Sequence, residues 1–381
     1  MSEEMLDTPF NPLQRQYNDK VEFGPWGAYK SPNVMSDVKR ENLAVRNNAI
    51  VFDMTPVNKY AIHGPDACRF LNYLTTRQMD IEPGRVTYTC WCNPNGKIID
   101  DGTVFRVSEN EYRLYPAANQ TAYLQQVAGD FDVEVTDVTH DSAVLSVQGP
   151  KSFALLKEMG IEGLETLKPF RFADFTLGSE ELRISRTGFS GDLGYELWMQ
   201  KDQSETLWNA LISVGVEPMG MEALLTMRLE AALILPDEGF ELEGASYDGN
   251  SDSEMSRSPF EVDMAWLINW EKGDFIGRDA LASEKTAGSK FRLIGLELEG
   301  TLASEFGATV LDMQGQSLGL VTSGCYSEAL QRNIALASVT DNFGDVGQHC
   351  QVVIGETTVT ATVVQRPFFN DPRRNAIPPQ L

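Results

Sequence analysis

Beyond Ser289 the chain changes its hydrophobic period. FRLIGLELE, ATVLDM, SLGLVTS, NIALASV and QVVIGETTVTATVVQ are short runs rich in β-branched residues and separated by turn formers. Strands this short and this closely spaced bury their apolar faces by pairing with one another, which predicts a small antiparallel barrel or sandwich over residues 289–381. Helical spacing is confined to residues 1–288, so the expected class is α+β.

Within residues 1–288 one local pattern occurs twice. KYAIHGPDACRFLNYL and AVLSVQGPKSFALLKEM each place a short alternating strand before Gly-Pro and an amphipathic helix. Pro65 and Pro150 fall where the first helical turn is expected, a position that needs no N–H. The two stretches predict related βα units in pseudo-equivalent halves. Leu182 to Met199, LRISRTGFSGDLGYELWM, predicts a hairpin around a Gly-rich turn. Ser204 to Val214 has the spacing of an amphipathic helix, and Met219 to Leu235 that of a longer, mostly buried one. From Asp237 to Ser258 the chain is acidic, Gly/Ser-rich and without periodicity, which predicts an exposed irregular loop.

Asn93 to Gly102 read NPNGKIIDDG, a polar turn followed by a strand that carries two adjacent carboxylates, Asp100 and Asp101. Side chains alternate along a strand, so one carboxylate faces inward and the other outward. A buried carboxylate is costly unless it is partnered, so the inward one either pairs structurally or is held for chemistry on a cationic or proton-bearing substrate.

Composition removes several function classes. A formal charge of −24, from 55 acidic against 31 basic residues, disfavours generic binding to nucleic acid or an anionic membrane. No run approaches the ~18 apolar residues that span a bilayer. The N-terminus, MSEEMLDTPF, lacks a basic-then-apolar signal, and five scattered cysteines argue against a disulfide framework, so a cytoplasmic location is expected. The three histidines have no metal-ligand spacing and Cys90-Trp-Cys92 lacks a second cysteine pair, so no metal site is expected. No nucleophile elbow, phosphate-binding loop or dinucleotide fingerprint is present, and unaided flavin oxidation is not expected.

FDMTPVNKYAIHGPDA, YTCWCNPNGKIIDDGTV, LSVQGP, SRTGFSGDLGYELW, MRLEAALIL, SPFEVDMAW, FIGRDAL, VTSGCYS, NIALA and RPFF occur in that order. Together they resemble the tetrahydrofolate-dependent aminomethyltransferase family, which includes the T-protein of the glycine cleavage system and folate-dependent demethylases. The resemblance implies two catalytic α+β domains and a C-terminal β-barrel in a ring, with tetrahydrofolate in a central opening. It also implies site residues. Asp101, the second Asp of the G-x-I-[IL]-D-D pattern, becomes the catalytic carboxylate, Tyr88 lines the pterin pocket, and Glu196 grips the pterin. A carboxylate suits that task because its two oxygens accept together from the two-donor N–H edge of the ring. Phe189 stands where T-proteins usually carry tyrosine and can stack without a hydroxyl. Arg228, in the retained R-L-E-A, is a further cofactor-binding candidate, and Arg183, Arg186, Arg373 and Arg374 are candidates for the folate's glutamate tail.

Two departures bear on the donor. Leu224 and Leu225 replace the arginine and aspartate of the T-protein G-L-G-A-R-D pattern, and FDMTP at Phe52 to Pro56 replaces F-D-V-S-H. Loss of a guanidinium that would meet an anionic ligand turns the expectation from an aminomethyl-lipoyl donor toward a small methylated one. The expected function is therefore a demethylase-like, tetrahydrofolate-dependent transferase of a methyl or methylene group. The alternatives are the glycine cleavage T-protein itself and a non-catalytic folate-binding protein that supports iron–sulfur cluster assembly, for which Cys325 in SGCYSEAL is the nearest cysteine. A partner enzyme or a second copy of the chain is left open; nucleic acid and membrane are not expected partners.

Overall fold

The structure is a computed structural model that describes residues 5–235 and 256–377. Two mixed layers and a barrel organise it. The first layer is a six-stranded sheet in the order Phe172–Leu177, Glu180–Ser185, Gly194–Gln200, Ser142–Gln148, Ile50–Asp53, Glu217–Pro218. Every neighbour pair is antiparallel except the last. The second is a five-stranded antiparallel sheet in the order Val86–Cys92, Ile98–Ser108, Glu111–Pro116, Tyr60–His63, Glu134–Asp137.

The two Gly-Pro units fall one in each sheet. Tyr60–His63 leads into the helix Ala67–Leu74, and Ser142–Gln148 into the helix Ser152–Glu158. Gly64 and Gly149 have φ of +145° and +123°, and a Cβ on either would meet a backbone carbonyl at 2.5 Å, Asp132 O and Asn48 O respectively. The same backbone crossing thus demands glycine in both units. Pro65 and Pro150 lie in the turns that precede the helices rather than in their first helical positions, since Asp66 and Lys151 are the N-caps.

Each sheet buries its outer face under its own helices. Leu145, Val147, Ile184, Leu197 and Leu211 belong to one core, and Ile62, Phe70, Leu71, Trp91 and Leu124 to the other. The inner faces meet in an apolar seam of Val86 and Phe105 from the five-stranded sheet against Val144, Phe172 and Trp198 from the six-stranded one.

The C-terminal strands close into a barrel: Phe291–Leu298, Arg332–Thr340, Ser317–Ser327, Thr309–Leu311, His349–Ile354 and Thr357–Val364, which returns to the first. Closure leaves no unpaired edge, the hazard of a short-stranded antiparallel sheet. Alternation on Arg332–Thr340 sends Ala335, Ala337 and Val339 into the barrel. Ile334 and Leu336 face outward instead, against Leu229 and Phe368. That outer face docks the barrel on the helix Met221–Glu230.

Ser204–Ser213 forms the expected amphipathic helix, but the helix expected over Met219 to Leu235 ends at Glu230. Ala232 adopts φ +54°, its N–H bonds Leu229 O at 2.8 Å, and Leu233 N–H bonds Arg228 O at 2.9 Å. This is the αL stop that satisfies the last carbonyls, here without the usual glycine. Most of the stretch from Asp237 to Ser258 lies outside the described residues. Its end is buried rather than exposed: Arg257 is 4% accessible, donates Nε–H to Ser338 Oγ at 3.0 Å, and stacks 4.1 Å from the Phe291 ring centre. A cation fills that gap because its planar face covers an aromatic while its N–H groups reach polar atoms. No helix among the described residues is long and apolar enough to cross a membrane.

Candidate functional site

The hairpin register decides how the two carboxylates divide. Val86 pairs with Phe105, Tyr88 with Thr103 and Cys90 with Asp101, so these six side chains share the inner face of the five-stranded sheet. Asp100 points the other way. It is fully buried, its Oδ2 accepts from Ala118 N–H at 3.0 Å and from Gln120 Nε2 at 2.9 Å, and its Oδ1 accepts from Asp101 N–H at 2.8 Å. Burial and the neighbouring Asp101 charge push its pKa well up, against the pull of those donors. Asp100 is thus the partnered structural carboxylate.

Asp101 is only partly buried, and one of its oxygens accepts a hydrogen bond from the Tyr88 hydroxyl. Burial and the Asp101 charge hold the Tyr88 pKa well above 10.0, so the phenol remains a donor at any physiological pH. Trp266, 64% exposed, lies 6.3 Å from the Tyr88 ring and under the Arg77 guanidinium at 5.2 Å.

On the facing sheet, Glu196 pairs with Ser146 on one side and Ser185 on the other, on the same face as Trp198 and Val144. It therefore stands one alternation beyond the apolar seam, as Tyr88 does on the sheet opposite. Glu196 Oε2 accepts from Thr187 Oγ1 at 2.6 Å and Ser185 Oγ at 3.2 Å, while Oε1 takes no hydrogen bond from the described residues. No ion pair reaches it among those residues, and burial raises its pKa above 4.5. A nearly buried carboxylate with no cation beside it and one oxygen left over is suited to a ligand that brings N–H donors.

Tyr115, which the sequence reading missed, joins the two halves. It pairs with Thr103 on the Asp101 face, lies 4.4 Å from the Trp198 ring, and feels the Glu196 charge. Its alternation marks it as inward, but no local pattern says which sheet it meets. Ser185 and Thr187 were missed as well; their only signal was their position around the Gly-rich turn beside Glu196.

Phe189 lies in that turn and joins an apolar cluster with Phe52, Met54, Leu224 and Leu225. Met54 also belongs to the seam between the sheets, so the cluster adjoins the site. Arg228 is buried in the last turn of its helix, where it donates to Leu233 O at 3.3 Å and its charge reaches the Cys325 thiol on the barrel. Three of the four arginines considered for a glutamate tail have partners within the protein. Arg183 pairs with Asp174 at 2.7 Å, Arg373 with Asp192 at 2.8 Å, and Arg186 donates to the Leu167 and Ala376 carbonyls. A separate cleft of about 670 Å³, lined by Cys68, Arg69, Tyr73, Arg106, Phe131 and Lys272 among others, contains none of the expected site residues.

Comparison with known proteins agrees with this architecture. Residues 13–272 match the family model described as the GCVT N-terminal domain, and residues 292–370 the one described as the glycine cleavage T-protein C-terminal barrel domain. An aminomethyltransferase from Geobacillus thermodenitrificans is 34% identical, over 95% of this chain and 98% of its own. Those from Caldanaerobacter subterraneus subsp. tengcongensis and Bacillus subtilis are each 32% identical over 95% of this chain, covering 95% and 98% of their own. The crystal structure of glycine cleavage system aminomethyltransferase T from Bartonella henselae superposes with a TM-score of 0.85 at 24% identity, over 98% of this chain and 100% of that one, a likeness of fold.

Proposed function

The chain belongs to the glycine cleavage T-protein family, and we propose that it transfers a one-carbon unit to tetrahydrofolate, with Glu196 anchoring the pterin and Asp101 acting at the reacting nitrogen. T-proteins of this family use tetrahydrofolate, which supplies the nitrogen that takes up the one-carbon unit. The observation that carries the reading is Glu196, a nearly buried carboxylate whose Oε2 is held by Thr187 and Ser185 while Oε1 is left for a ligand, on the sheet face opposite Tyr88 and Asp101. A pterin edge of amino and imino N–H groups would complete it. Asp101, held by the Tyr88 hydroxyl, would orient the nitrogen, take its proton and stabilise positive charge on the migrating carbon. Phe189 would offer a ring face. We assign Arg228 no contact with the folate: it donates to Leu233 O, and its charge reaches the Cys325 thiol.

Glu196→Ala is expected to weaken tetrahydrofolate binding at least about tenfold, from about 1.5 to 3 kcal/mol for a charge-assisted pair. Calorimetry is the check, and unchanged affinity removes Glu196 from the site. The pH sign follows from the raised pKa. Binding requires the carboxylate, so affinity should fall as pH drops through a value above 4.5. The stability contribution of the group runs the other way: it is full below the unfolded pKa and lost as pH rises through the folded one. Glu196→Gln should remove this titration from the binding profile.

For the donor, the first reading is an aminomethyl group, since the relatives at 32 to 34% identity are named aminomethyltransferases. A second reading, a small methylated donor in a demethylase-like reaction, is favoured by one observation: Met54, Phe189, Leu224 and Leu225, four of the positions that differ from the T-protein pattern, lie in one apolar cluster. An apolar wall offers no partner to an anionic donor group. Product formation from an aminomethylated carrier protein and from a panel of methylated sulfonium, amine and aryl ether donors separates the two. Burial raises the Cys325 thiol to about 12, so it stays a neutral thiol, which weighs against a cysteine-dependent role in cluster assembly.

A further inference from the structure

The Gly-rich turn between Ser185 and Gly194 carries Phe189 and Thr187, and a single side chain from the adjacent strand fills its interior. Gln148 is fully buried. Its Nε2 donates to Ser146 Oγ at 3.0 Å and to the Thr187 main-chain oxygen at 3.3 Å, and its Oε1 accepts from Ser190 Oγ at 2.8 Å. A Cβ at Gly188 would stand 2.1 Å from Gln148 Oε1, and one at Gly194 2.0 Å. The amide therefore occupies the space that any larger residue at either end of the turn would need. Two partners of the amide adjoin Glu196, Ser146 as its strand neighbour and Thr187 as a hydrogen-bond donor to it, and the third, Ser190, ties down the turn.

We propose that Gln148 is a positioning residue for the folate site, which by fixing the Thr187 main chain sets the direction of the Thr187 hydroxyl and hence which Glu196 oxygen is left for the ligand. Without the amide, the turn loses its internal ties to Thr187 and Ser190, and the Thr187 hydroxyl is free to leave Glu196. The carboxylate then meets the pterin in a distribution of orientations rather than one. The proposal rests on the reading of Glu196 as the pterin anchor.

The test uses the full chain and tetrahydrofolate. Gln148→Met, which keeps the volume and removes the hydrogen bonds, should raise Kd and KM for tetrahydrofolate about tenfold and leave kcat at saturating folate within about threefold. Thr187→Val should do the same. The double variant should lose no more than either alone, because both changes break one chain of contacts. Additive losses, or normal affinity in folded Gln148→Met, overturn the proposal. Should Gln148→Met fail to fold, Ser190→Ala releases the amide at one end only, with an expected loss of about threefold; unchanged affinity there overturns it equally. Glu196→Gln separates the two levels of argument. If that variant binds normally, the pterin assignment itself fails; if it binds weakly while Gln148→Met binds normally, only the role of Gln148 fails.

Discussion

Asp101→Asn is expected to lower turnover by about 10² or more while leaving the fold and most of the folate affinity intact, the usual scale for removing one acid–base or electrostatic group. The carboxylate is partly open to the seam and accepts a hydrogen bond from the Tyr88 hydroxyl, so the amide occupies the same space but cannot take a proton or offset positive charge. The contrast with its neighbour is sharp. Asp100 takes three N–H donors, and an asparagine there would turn an amide N–H toward at least one of them. Asp100→Asn should therefore cost about 1 to 3 kcal/mol in stability and little turnover per folded molecule. Steady-state kinetics with tetrahydrofolate in excess, beside urea unfolding of both variants, gives the comparison. The reverse ranking would make Asp101 the structural carboxylate and remove its proposed role.

The largest stability loss is expected at Glu230. Its Oε2 accepts from Arg46 Nε at 2.8 Å and lies 2.6 Å from Arg46 Nη2 in an ion pair, and its Oε1 accepts from Ser327 Oγ of the barrel at 2.6 Å. Its main-chain oxygen accepts from Phe369 N–H at 2.7 Å, and the Phe369 ring lies 3.8 Å from the Arg46 guanidinium. Arg46 and Glu230 side chains are 5% and 2% accessible, so truncating one strands the other in a medium that cannot solvate it. Glu230→Ala should cost about 3 to 5 kcal/mol. Replacing both partners by methionine should restore part of the loss, because the desolvation of Arg46 is then removed together with its partner. Urea denaturation followed by circular dichroism measures this. A midpoint unchanged in Glu230→Ala would show that water already reaches Arg46.

The elements that could be read from the chain are those whose cause is local. The period-two runs after Ser289 have a closed barrel as their structure, one of the two arrangements, barrel or sandwich, that bury the apolar face of alternating strands. Both Gly-Pro units are strand-turn-helix, and their glycines are demanded by the backbone crossing itself. The helix over Ser204–Ser213 follows its own spacing, whereas the one expected through Leu235 stops at Glu230 because Ala232 takes a left-handed conformation that no residue type announces. Arg257 belongs to a stretch read as exposed, yet Phe291 and Ser338 of the barrel cover it, and nothing near it in the chain could show that.

The candidate site divides along the same line. Alternation by itself determined that Asp100 and Asp101 face opposite ways, and the motif resemblance singled out Asp101, Tyr88 and Glu196. That Asp100 is held within the protein was decided by Ala118 and Gln120, which reach it from a loop beyond the next strand. That Tyr115 lies between the two halves, that Gln148 fills the Gly-rich turn, and that Met54, Phe189, Leu224 and Leu225 gather in one cluster are consequences of two sheets meeting face to face. A strand's period states which side of a sheet a residue takes; only the packing of that side against a second sheet states what it meets.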